Sequence, residues 1–93
     1  MIVGVLRLTF HIPHARSLKD KRQVLRSLKD RLRAKFNVAV AELEHEDTWQ
    51  RSVVGVVTLS NEEHQVQESL QHVLAEADNI LGPLLVSHGV EII

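Results

Sequence analysis

The chain has 93 residues, of which 44% are hydrophobic and 25% charged, which fits one globular domain with a thin core and excludes a disordered or fibrous chain. With no cysteine, it has no disulfide staples, no thiol catalysis and no Cys-ligated zinc or iron–sulfur cluster, a composition that suits a cytoplasmic protein. The formal net charge of −1 hides a segregation: residues 1–36 carry ten basic and two acidic side chains, whereas residues 37–93 carry one basic and ten acidic. Such a dipole draws polyanions to one face of a nearly neutral molecule.

Residues 2–12 alternate, with Ile2, Gly4, Leu6, Leu8, Phe10 and Ile12 against Val3, Val5, Arg7, Thr9 and His11. Period two over that length predicts a strand with one strongly buried face, and Pro13 ends it. The apolar run at the N-terminus is too short and wrongly flanked for a signal peptide. No segment approaches the roughly 20 apolar residues of a membrane span. Ser17 is the expected N-cap of a first helix, with Asp20 as capping-box partner. Leu18, Leu25, Leu28, Leu32 and Phe36 form its apolar stripe, and Asn37 is the expected stop.

Val38–Glu44 reads as a second strand, Glu46–Thr48 as a turn and Ser52–Leu59 as a third strand, so the pair is expected to form a hairpin. Ser60-Asn-Glu-Glu63 fits a capping box for a second helix that carries Val66, Leu70, Val73, Leu74, Ala77, Ile80 and Leu81 and stops at Gly82-Pro83. Leu84–Ile93 closes the chain as a strand interrupted near Gly89. The order βαββαβ, with right-handed crossovers, predicts an α+β, ferredoxin-like domain over residues 1–93: a four-stranded antiparallel sheet with two helices on one face.

Nine of the eleven Lys and Arg residues lie between Arg16 and Lys35. At about 100° per residue, Lys19, Arg22, Arg26, Lys29 and Arg33 fall in one line beside the leucine stripe, and Lys21, Arg31 and Lys35 lie on the other shoulder. The line spans about 21 Å at ~1.5 Å per residue, a repeat to which long side chains can match nucleic-acid phosphates. Arg16 and Lys21 flank the helix entrance and complete the candidate nucleic-acid-binding set. The same cations also suit a solvated rim, with methylenes laid along the apolar stripe, or docking onto an acidic protein surface.

The sheet offers little to bases. An RNA-recognition motif shares the topology but stacks bases on sheet aromatics. Here Phe10 falls on the core face, and the remaining aromatics are Phe36 and Trp49. The outward face carries Val3, Val5 and Thr9, and a half-apolar open face suits a homo-oligomer contact. Trp49 is either a cap on the sheet end or an anchor for a partner. Glu42, Glu44, Glu46 and Asp47 read as a solvated hairpin end. The six histidines (His11, His14, His45, His64, His72 and His88) show no metal-ligand spacing, and neither a metal nor another cofactor is expected. An acylphosphatase-type activity would use an Arg in a phosphate-cradling loop after the first strand. The loop here, Pro13-His-Ala-Arg16, lacks the glycines of a tight cradle.

Three segments together carry a resemblance: Ser17-Leu-Lys-Asp-Lys-Arg22, Phe36-Asn-Val-Ala-Val-Ala-Glu42 and Asp47-Thr-Trp-Gln50. The chain resembles the YlxP-like family of small bacterial proteins of unknown function. That resemblance implies a ferredoxin-like fold and a bacterial cytoplasmic protein. Its members are typically encoded near translation-initiation and small-subunit ribosome-assembly factors, which implies a link to RNA or the ribosome. It brings no catalytic residues. The expectation is therefore a non-enzymatic RNA- or ribosome-associated protein whose partner is ribosomal RNA or a small-subunit precursor, not a membrane. The alternative is an oligomeric regulatory module that pairs through its sheet, with Val3, Val5 and Trp49 at the interface, and senses a small ligand.

Overall fold

Alternation and helical periodicity place the apolar residues where a two-layer core needs them, and the computed structural model, which describes residues 1–43 and 50–93, shows how they meet. The elements are β1 (Ile2–His11), α1 (Leu18–Lys35), β2 (Ala39–Glu42), β3 (Arg51–Ser60), α2 (Glu63–Leu81) and β4 (Leu85–Ile92), with a 3-10 turn at Gly82–Leu84. The sheet order is β2-β3-β1-β4, and every neighbouring pair is antiparallel. This is the ferredoxin-like arrangement. All three turn residues of the expected hairpin, Glu46–Thr48, and Glu44, His45 and Trp49 beside them, fall outside the described residues.

The even-numbered residues of β1 point to the helices: Leu6, Leu8 and Phe10 are fully buried. Register carries that face across the sheet, with Leu6 opposite Val56 and Leu8 opposite Val54. Both sets of alternating residues in β3 contain valines, so only this pairing decides that Val54 and Val56 belong to the core. Leu25, Leu28 and Leu32 of α1 and Val66, Leu70, Val73 and Ala77 of α2 close it from above.

Gly4 shows how tightly α2 is seated. A Cβ at this position would run into Val66 and come 2.9 Å from the Leu70 side chain. Gly4→Ala is therefore expected to push α2 off β1 and cost about 2 kcal/mol by overpacking, read as a lower midpoint in urea. An unchanged midpoint would show that α2 can shift without loss.

Four local expectations change in the structure. Ser17 caps α1 by accepting from the Asp20 amide at 3.2 Å, but the Asp20 carboxylate reaches back to the Arg16 amide at 3.0 Å, one residue further out than in a reciprocal box. Leu18 is 43% exposed, and the buried stripe starts instead at Lys21. Ser60 is the last residue of β3, not a helix cap; α2 starts after Glu62, with the Ser60 hydroxyl accepting from the Glu62 amide and donating to Gln65. Finally, β4 runs unbroken through Gly89, and its irregularity falls where pairing shifts between Thr9 and Phe10.

Candidate nucleic-acid interface

The geometry of α1 follows from which of its residues are buried. Lys21, Leu25, Leu28 and Leu32 face inward at spacings of 4, 3 and 4, so the line through Lys19, Arg22, Arg26, Lys29 and Arg33 runs along one flank. Two contacts fix which flank. The Arg33 guanidinium donates to the Val40 carbonyl of β2 at 2.7 Å, so the line follows the edge-strand side of the helix. Lys35, on the opposite flank, pairs with Glu76 of α2 at 2.6 Å. The basic line thus borders the open β2 edge and faces away from α2, the more acidic helix.

Which cations remain available is a matter of who already holds them. Arg33 is engaged by Val40 and lies 3.7 Å from Asp30, and Lys35 is engaged by Glu76. Lys19, Arg22 and Arg26 are exposed and Lys29 half-buried, and among the described residues none of the four has a carboxylate partner. Arg16 and Arg31 are likewise exposed. Among the described residues, the charge segregation in the sequence is therefore preserved in space along this flank and not cancelled by pairing.

Lys21 leaves the candidate set. Its side chain is only 4% exposed, and its ammonium lies 3.2 Å from Glu42 Oε1, which also accepts from the Ser52 hydroxyl at 3.3 Å. Helical arithmetic explains the error: Lys21 sits four residues before Leu25, at the centre of the inward stripe, whereas Leu18 sits at its margin. The ion pair joins the first turn of α1 to the end of β2 and to β3. It acts as an internal strut beneath the exposed cations.

Elsewhere the placement is simpler. Val3 and Val5 are half-buried on the open face of the sheet, while Trp49 lies outside the described residues. His11, His14, His64, His72 and His88 are exposed, with His64 3.2 Å from the Glu62 carboxylate. Among the described residues no group of three acidic, His or Cys side chains could hold a metal. No described helix is long and apolar enough to cross a membrane.

A family model described as a protein of unknown function, DUF503, matches residues 3–83. The chain belongs to the DUF503 family. An uncharacterised protein, YlxP of Bacillus subtilis (strain 168), is 38% identical over 78 residues, covering 84% of this chain and 85% of the relative. Solved structures similar to this DUF503 chain include a dimeric ferredoxin-like protein of unknown function from Bacteroides fragilis, at 16% identity and a TM-score of 0.59 over 99% of this chain and 94% of that one. The cofactor-independent oxygenase SnoaB of Streptomyces nogalater aligns at 15% identity and a TM-score of 0.58, over 97% and 89% of the two chains. At such identities the likeness is one of fold.

Proposed function

We propose that this DUF503 protein is a non-enzymatic RNA-associated protein that engages phosphates through the β2-side flank of α1, in the setting of small-subunit ribosome maturation. The observation that carries the reading is the row Lys19, Arg22, Arg26 and Lys29, which has no carboxylate partner among the described residues and stands on a helix anchored by a buried leucine stripe. Arg33 closes the row at the edge strand. Cations held at helical spacing on a rigid rod lose little freedom on meeting phosphates, and the released counterions drive association. Phosphate contacts position an RNA and confer little sequence preference, so selectivity would come from the shape of a folded RNA.

The test is fluorescence anisotropy with a structured fragment of small-subunit ribosomal RNA across a salt series. Neutralising about five phosphates gives a slope of about −4 in log affinity against log salt, hence a loss of ~10²-fold or more for a fourfold rise in salt. An affinity indifferent to salt would contradict the reading.

A further inference from the structure

The face of the sheet turned away from the helices has its own pattern. In register, Arg7 of β1 stands opposite Gly55 on one side and Gly89 on the other, with Ala41 completing the row on β2. One long cationic side chain therefore crosses a strip that otherwise has almost no side chains. Leu43 lies over Gly55: a Cβ there would come 2.8 Å from its methyl group. Among the described residues nothing lies within 4 Å of where a Gly89 Cβ would be. The result is a depression of about 370 Å³ bordered by Val5, Arg7, Leu43, Gly89 and Glu91.

Among the described residues nothing calls for glycine at position 89. No glycine here has a positive φ, and the site has room for a side chain, whereas Gly4 is required by α2. A glycine inside a strand weakens it and commonly marks a close approach by another chain. Around the depression the face is apolar and exposed, with Leu59 61% and Ile93 70% accessible and Val57 beside them. Four strands about 4.8 Å apart, of ten, four, ten and eight residues at ~3.3 Å each, offer roughly 500 Å² in projection. Side-chain relief brings that towards the ~800 Å² per partner of a standard stable interface.

We infer that this face pairs with a second copy of the chain, a partner side chain filling the depression at Gly89 while Arg7 and Glu91 of the two copies meet reciprocally. Charge selects the partner. Val5 is opposite Glu91 and Arg7 opposite Gly89, so the two charges are diagonal neighbours of opposite sign on one apolar field. A twofold axis through that field sets each against its complement, as an isologous contact requires. A nucleic acid would meet Glu91 in the middle of that field. Sheets stacked about 10 Å apart interdigitate their side chains, and a missing side chain on one sheet receives one from the other. Both α1 helices stay outward, so the pairing stands independently of RNA binding.

Sedimentation equilibrium of the full chain at micromolar concentration should give twice the 10.5 kDa of one chain. Gly89→Gln, which the open space accommodates, should leave the far-ultraviolet circular dichroism intact and yield a monomer whose Tm no longer depends on protein concentration. Arg7→Glu and Glu91→Arg should each weaken association by ~30-fold or more, and the double exchange should recover most of it. A wild-type chain sedimenting at 10.5 kDa would overturn the inference. A Gly89→Gln protein that dimerises as tightly as wild type would also overturn it, by placing the contact elsewhere.

Discussion

Reversing Arg22, Arg26 and Lys29 to glutamate is expected to lower affinity for structured ribosomal RNA by at least ~10³-fold, because three phosphate contacts become three repulsions along one line. The fold should survive. Arg22 and Arg26 are exposed and Lys29 half-buried. Glutamate is also about as good a helix former as the residues it replaces. Substitutions on such a surface usually stay within about 0.5 kcal/mol, so Tm should move by only a few degrees. Arg31→Glu supplies the matched control. Arg31 lies on the flank opposite the row, by the same helical arithmetic that sets Lys35 towards α2, and its reversal should weaken binding far less than reversal of any member of the row. Equal losses at Arg31 and Arg26 would mean that overall charge, and not an ordered row, attracts the RNA.

The second large effect concerns the buried strut. Taking away one partner of a largely buried pair weakens the support of the other charge in a poorly solvated place, at a typical cost of about 3–5 kcal/mol. Glu42→Ala deprives the buried Lys21 ammonium of the carboxylate 3.2 Å away and the Ser52 hydroxyl of its acceptor. We expect a loss of about 3 kcal/mol, which in a domain of this size lowers Tm by roughly 15 °C. Lys21→Met keeps the packed stem and discards the charge, so it should cost about 1 kcal/mol. The double variant should be more stable than the sum of the two single losses, since the residues touch. Strict additivity in thermal or urea unfolding would show that the pair contributes nothing as a pair. Because the strut fixes the first turn of α1, Glu42→Ala should also weaken RNA binding in proportion to the fraying of that turn.

Much of the architecture was legible from local patterns. The alternation over residues 2–12 placed Leu6, Leu8 and Phe10 in the core, and Gly82-Pro83 marked the end of α2, because these signals depend on the chain's own period and on residues that cannot continue a helix. What depended on distant partners was not legible. Lys21 looked like one more basic residue, yet its place four residues before Leu25 already put it on the inward stripe; Glu42, the partner that makes its burial tolerable, arrives from another strand. The inward set of β3 could not be chosen while valines stood on both faces, and pairing with β1 chose it. The different roles of Gly4 and Gly89 needed neighbours: Gly4 read as an alternating position and Gly89 as a break in the last strand, but the strand is unbroken and only Gly4 faces a helix. In the candidate site the row itself was legible from spacing. The engagement of Arg33 by Val40, which locates that row at the sheet edge, was not.

Ultraviolet cross-linking of the wild-type protein to small-subunit ribosomal RNA, followed by mass spectrometry of the attached peptides, addresses the role of α1 most directly. The expected result is RNA adducts concentrated on peptides from Lys19–Arg33 and lost when salt is raised. Adducts confined to the open sheet face, or none under conditions where a known RNA-binding domain cross-links readily, would contradict it.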